Sequence, residues 1–278
     1  MVTDKWVLPS GAAAGLVPPG ATPAVPRDAA TVVLLRDTGT GSGPEVYLLR
    51  RVSTMAFAAG MYVFPGGRVD PADSGDDIGW VGPSADTWAE PLSAGVPLAR
   101  ALVCAAVRET FEECGVLLAG RDASSVVDVS DPEWEADRQA LLARETSLSD
   151  LLRARGLLLR ADLLRPWARW ITPEAEPRRY DTRFLVAALP PLQNARHVGG
   201  EADHAAWLTP AAALRQHRDG ELAMLPPTVV TLEQIDGLPS AAAVLSAADD
   251  RTVQTVQPRI EIVDGQAAVV LTQDGGTT

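Results

Sequence analysis

One helical stretch constrains this chain more than any other feature. Between residues 98 and 114 the apolar positions Leu98, Ala101, Leu102, Ala105, Ala106 and Phe111 recur at helical spacing, and Gly115 is a natural stop. The second half of that stretch reads Arg108-Glu109-Thr110-Phe111-Glu112-Glu113-Cys114-Gly115-Val116 and sets three carboxylates at i, i+3 and i+4. Residues at those offsets are neighbours on a helix, so each like-charged pair costs about a few tenths of a kcal/mol. A helix with one face committed to a core and Glu109, Glu112 and Glu113 crowded on the other needs a neutralising partner. A hard divalent cation suits the need, because such ions take oxygen ligands, keep several waters and meet protein through a few carboxylates plus substrate phosphates.

Upstream, Tyr62-Val63-Phe64-Pro65-Gly66-Gly67 is an apolar, strand-like run that ends in a glycine pair, where backbone can come close to a ligand. Strand, glycine loop and acidic helix make one constellation, and it resembles the Nudix hydrolases, whose signature is G-x5-E-x7-R-E-U-x-E-E-x-G-U with U apolar. The second half matches from Arg108 to Val116, with Thr110 at the first U. The first half is interrupted by a stretch of Asp, Pro, Gly and Ser that runs to Pro97, and Arg100 stands eight positions before Arg108, where the signature has its first Glu. Within the family the chain is similar to the coenzyme A diphosphatase-like branch with an interrupted box. The runs that carry this likeness are Leu48-Leu49-Arg50-Arg51, Met55-Ala56-Phe57, Trp170-Ile171-Thr172-Pro173, Arg179-Tyr180-Asp181-Thr182-Arg183-Phe184 and Trp207-Leu208-Thr209-Pro210. It extends from about residue 30 to residue 232.

The resemblance implies an α+β fold, a Nudix-type α/β/α sandwich with a mixed central sheet and an added helical insertion. It implies Mg²⁺ or Mn²⁺ bound by Glu109, Glu112 and Glu113 with the backbone carbonyl of Gly66, and Arg108 paired with a carboxylate. The general base is Glu109 or Glu201, and the sequence does not choose between them. Arg50, Arg51, Arg178 and Arg179 are the candidates for contact with substrate phosphates. The implied reaction is hydrolysis of the diphosphate in coenzyme A or an acyl-CoA. The alternatives are ADP-ribose, NADH or another nucleotide, or, given Arg100, a nucleotide-binding module that has lost catalysis.

The 278 residues, 46% of them hydrophobic, suffice for a full core. Residues 1–29 read as an irregular Pro-, Gly- and Ala-rich arm and 30–278 as the Nudix domain. Insertions are expected at about 70–97 and 120–165, with C-terminal helices and a hairpin at about 210–272. The glycine-rich segment 38–43 reads as a hairpin turn between strands at 31–35 and 46–49, residues 132–155 as helical with Ser147 as a cap, and 167–172 and 180–189 as strands. Strand 204–208, helices opening at Pro210 and Pro226, and a hairpin about Asp264-Gly265 complete the reading.

A net charge of −12 argues against nucleic-acid partners, whose binding relies on many cationic contacts. Lys5 is the only lysine, so a phosphate clamp has to be built from arginine. No apolar run approaches the roughly 18 residues of a membrane span, and no secretory or peroxisomal signal is evident. Cys104 and Cys114 lack disulfide or zinc spacing, which suits packing roles in a reducing cytoplasm. The expected partner is a small nucleotide-type molecule, with a homodimer left open.

Overall fold

The eleven-residue strand Arg27–Asp37 is covered on both faces, and its side chains sort by parity as a period of two requires. Ala30, Val32 and Leu34 enter one apolar core, whereas Val33 and Leu35 enter a second. The structure is a computed structural model and describes residues 3–7, 15–18, 20–39, 41, 43–52, 58–75, 77–196, 202–263 and 266–272.

In chain order the first strands are β1 (Thr3–Val7), β2 (Arg27–Asp37), β3 (Pro44–Arg51), β4 (Tyr62–Val63) and β5 (Gly66–Arg68). A 3-10 turn (Pro71–Ser74) leads to β6 (Trp80–Val81), α1 (Ala85–Ala89) and α2 (Val96–Cys114). Then come β7 (Ala119–Gly120), α3 (Glu133–Leu142), α4 (Leu148–Arg155), β8 (Leu158–Arg160), β9 (Leu164–Ile171), β10 (Tyr180–Ala188) and β11 (Ala202–Leu208). The last elements are α5 (Pro210–Arg218), α6 (Pro226–Ile235), α7 (Ala241–Asp249), β12 (Thr255–Val256), β13 (Arg259–Val263) and β14 (Gln266–Thr272).

The central sheet runs β11-β3-β2-β10-β9-β12, with β4 attached to β3 and β5 to β2. It is mixed: β2 and β10 are parallel, and β2–β3, β10–β9 and β11–β3 are antiparallel. α2 and the helices α3 and α4 bury Leu102, Ala106, Phe111, Trp134 and Leu151 against one face. α5, α6 and α7 bury Leu214, Leu232 and Val244 against the other. This is the expected α/β/α sandwich.

One local expectation needs correction, and others gain detail. The N-terminal arm is not irregular throughout, since β1 pairs antiparallel with β14 and β2 already starts at Arg27. The bonding partner of β1 lies at the far end of the chain, so no local pattern announces the strand. The helical stretch read over 132–155 is two helices, the second opening at the Ser147 cap. Arg144, at φ 58°, stands in the left-handed region between them, and Ser147 Oγ accepts from Asp150 N to start α4. The insertion at 70–97 is packed, with Trp88 and Leu92 buried in the core with α2. Buried Arg183 holds it to the sheet by donating to Leu92 O and pairing with Asp28. Both cysteines are buried free thiols, and among the described residues no helix is long and apolar enough to cross a membrane.

Candidate active site

α2 begins with Pro97 in its first turn and ends where Gly115 adopts φ 70° and donates its N–H to Phe111 O. Thr110 occupies its apolar-type position because its hydroxyl donates to Ala106 O and so is satisfied inside the helix. Helix α3 secures the C-terminal turn, where carbonyls lack helical partners. Buried Arg138 donates to Glu112 O at 2.7 Å, and Arg196 N donates to Cys114 O at 3.1 Å.

Arg108 organises the acidic end of α2. Its Nε and Nη2 donate to the two carboxylate oxygens of Asp73, each at 2.8 Å, a bidentate pair. Nη2 also donates to Arg68 O, and Nη1 to Glu109 Oε1 at 2.8 Å and Glu112 Oε1 at 3.3 Å. The Glu109 and Glu112 side chains are only 14% and 11% exposed, so the acidic face is enclosed rather than a solvated surface. Burial pushes the carboxyl of Glu109 up to about 7, against the opposing pull of Arg108, and raises Glu112 for the same reason. Glu113 turns to the glycine loop, where its Oε2 accepts from Gly66 N at 2.8 Å.

Asp73 was missed by the sequence reading. Its side chain is 1% exposed and it also accepts from Asp70 N, closing a capping box on the 3-10 turn. The signal was present: six positions after Gly67, the G-x5-E offset, falls on Asp73. Counting eight back from Arg108 falls on Arg100 instead, because the insertion lies between the two halves of the box. Arg100 takes no part in the acidic cluster. It donates to Gly75 O and Ile78 O and stacks over Trp80, which ties the insertion to α2.

The two glycines behave differently. A Cβ on Gly66 would lie 2.5 Å from Ala30 O and 2.6 Å from Thr31 Cα, both backbone atoms that cannot step aside. Gly66→Ala should therefore cost about 1–3 kcal/mol of stability. A Cβ on Gly67 would instead collide with the Glu109 carboxylate, the far end of a side chain rather than backbone. Gly67→Ala should leave the thermal midpoint within a few degrees of wild type while lowering turnover. Equal midpoints for the two variants would contradict this packing.

These groups form the floor of a cleft of about 1360 Å³ that exposes Gly66, Gly67, Arg108, Glu109 and Glu112. Leu141, Leu142, Arg144 and Ser147, from the α3–α4 turn, form one wall, and Pro173, Glu176, Arg178 and Arg179 from the β9–β10 connection form another. Among the phosphate candidates, Arg51, Arg178 and Arg179 line the cleft, though Arg179 is buried and donates to Ala24 O and Thr172 O. Arg50 is outside the lining and pairs with Asp203 at 2.7 Å. Glu201 lies outside the described residues.

Among the described residues no three Asp, Glu, His or Cys side chains converge as a ready cage for a metal ion. Arg108 lies among the carboxylates instead. The donors nevertheless suit a hard cation. They are all carboxylate oxygens, and Glu109 and Glu112, enclosed and raised by burial, open on a cleft that could supply phosphate oxygens and water.

Comparison with known proteins gives consistent results. The model of the NUDT19 Nudix domain matches residues 82–235, just over half of the chain. Acyl-coenzyme A diphosphatase NUDT19 of Xenopus laevis is 24% identical over 225 residues, covering 69% of this chain and 59% of the relative, so the chain spans about six tenths of that relative's length. The protein of the same name from Gallus gallus is 26% identical over 282 residues, covering 82% and 72%. Among solved structures, a NUDIX hydrolase from Alicyclobacillus acidocaldarius superposes with a TM-score of 0.65 at 32% identity, over 80% of this chain and 96% of that one.

Proposed function

The chain belongs to the NUDT19 Nudix domain family, and from that premise we propose that it is a metal-dependent hydrolase that cleaves the diphosphate of coenzyme A or an acyl-CoA. The observation that carries the reading is the enclosed cluster of Glu109 and Glu112 about Arg108 at the floor of a cleft large enough for a nucleotide conjugate. The names of the vertebrate relatives support the coenzyme A substrate. Turnover of ADP-ribose or NADH instead would keep the chemistry and change only the substrate.

Nudix hydrolases generally use divalent metal ions. For this chain we assign Mg²⁺ or Mn²⁺ to Glu109, Glu112 and Glu113 with the carbonyl of Gly66. When bound, the ion would offset charge on the phosphates and lower the pKa of an attacking water. Arg108 holds the rotamers of Glu109 and Glu112, and Asp73 holds Arg108. The α3–α4 turn walls the cleft beside Glu109 and Glu112, and the low exposure of these carboxylates strengthens their attraction for a cation. The proton of the attacking water goes to Glu109 or Glu201. Two buried thiols fit a reducing cytoplasm.

Incubating the purified protein with Mg²⁺ and coenzyme A, acyl-CoA, ADP-ribose or NADH, and identifying products by mass, tests the proposal. Release of adenosine 3′,5′-bisphosphate and a 4′-phosphopantetheine species is the expected result. Failure to hydrolyse any of these diphosphates would refute it.

The enclosed carboxylates also give the metal-free protein a pH signature. A folded state that keeps the Glu109 proton up to about 7 binds more protons than the unfolded chain above the ordinary glutamate range. Stability should therefore fall as pH rises from that range to about 7 and level off beyond. Denaturant midpoints of the metal-free protein across this window should show the fall, and Glu109→Gln should flatten it. A midpoint that rises steadily over the same window would contradict the burial of Glu109.

A further inference from the structure

The chain carries 36 acidic residues against 24 Lys and Arg, so a cation left without a partner is a scarce arrangement. Arginines around the cleft mostly have partners: Arg144 pairs with Asp70, Arg169 with Asp181 and Arg183 with Asp28. Arg27, Arg68 and Arg178 differ. Each is exposed and lines the cleft, and none has a side-chain hydrogen bond or ion pair among the described residues. Arg121, Arg215 and Arg218 also lack one, but they lie outside the cleft lining.

The strand register draws the first three together. Arg68 on β5 is opposite Ala29 of β2, two residues from Arg27, and Arg27 is opposite Tyr180 of β10, two residues after Arg178. The backbones are joined there by Arg27 N donating to Arg179 O at 2.9 Å and Val69 N donating to Asp28 O at 3.0 Å. Adjacent strands lie about 4.8 Å apart, within the span that several guanidinium groups can close around one anion.

Resting on the diphosphatase reading above, we propose that Arg27, Arg68 and Arg178 form a subsite for a phosphomonoester that the substrate carries in addition to its diphosphate. Arg68 follows Gly67, against which the Glu109 carboxylate packs, so the patch starts beside the acidic floor. From there it extends along β2 to Arg27, about 7 Å further on at two strand residues. That extension carries it away from the carboxylates and gives room for a second phosphate. A dianionic phosphate offers oxygens that match the planar fork of arginine. Glu176 lines the same cleft, but no described bond joins it to any of the three arginines. The class of substrate selected is a nucleotide phosphorylated on its ribose as well as bearing the diphosphate, and ADP-ribose and NADH lack that group.

The test compares kcat/KM of the full chain with Mg²⁺ for coenzyme A and for 3′-dephospho-coenzyme A. Charge-assisted hydrogen bonds to one added phosphate predict a preference for coenzyme A of roughly tenfold or more, carried mainly by KM. Arg27→Gln and Arg178→Gln should each shrink that ratio several-fold, with thermal midpoints unchanged because both side chains are exposed. A wild-type ratio near one, or a ratio that neither substitution moves, overturns the subsite while leaving diphosphate hydrolysis standing. If neither compound is hydrolysed, the functional reading fails, and calorimetric binding of adenosine 3′,5′-bisphosphate against adenosine 5′-monophosphate then decides the subsite. Equal affinities overturn it; tighter binding of the bisphosphate that is lost in both variants upholds it.

Discussion

Glu109→Gln is expected to lower kcat/KM for the diphosphate substrate by roughly 10²–10⁴-fold, the worth of several kcal/mol of transition-state charge stabilisation. The substitution keeps the shape of the side chain and its bond with Arg108 Nη1, but removes the negative charge enclosed beside Gly67. Loss of folding cannot mimic this result. A buried carboxylate costs solvation that a neutral amide escapes, so the thermal midpoint at pH 8 should stay level or rise. Glu112→Gln should behave in the same way. Unchanged rates in both variants would show that the acidic end of α2 is a structural device and that hydrolysis, if present, takes place elsewhere.

Arg108→Met should have the largest effect on stability, about 3–5 kcal/mol, because it leaves a buried carboxylate without its counter-charge. Asp73 is the group left behind: its side chain is 1% exposed and its ionic partner is Arg108. Three further acceptors, the two glutamates and Arg68 O, lose a donor at the same time. For a chain of this size the thermal midpoint should drop by about 10 °C. Removing the acid as well, in Arg108→Met with Asp73→Leu, should recover part of the loss, since a packed apolar pair avoids the cost of desolvation. A drop of only a degree or two for the single substitution would mean that Asp73 is hydrated and that Arg108 does not hold the two halves of the box together.

The pairing explains why the box was only half legible. Residues Arg108 to Val116 are contiguous, so their periodicity and charge could be read directly. The other acid of the motif is separated from Arg108 in sequence by the β6–α1 insertion and joined to it in space by a guanidinium. Arg100 fell at the counted position, yet its side chain serves the insertion, with bonds to Gly75 O and Ile78 O. The Ser147 cap and the helix opening at Pro226 were likewise local signals and appear as expected.

What the linear chain settled by itself was the set of elements whose cause lies within a few residues. α2, with its apolar stripe and Gly115 stop, is one, and the apolar run 31–35 within β2 is another. Tertiary structure decided everything that depends on distant partners. β1 is ordered by β14, Glu113 is turned to Gly66 N, and Glu109 is enclosed against Gly67. It also separated Arg50, tied to Asp203 outside the cleft, from Arg27 and Arg68, which line it. The reason is physical: helical and strand periodicity register the face a side chain occupies, whereas its charge state and partner depend on which other segment packs over that face.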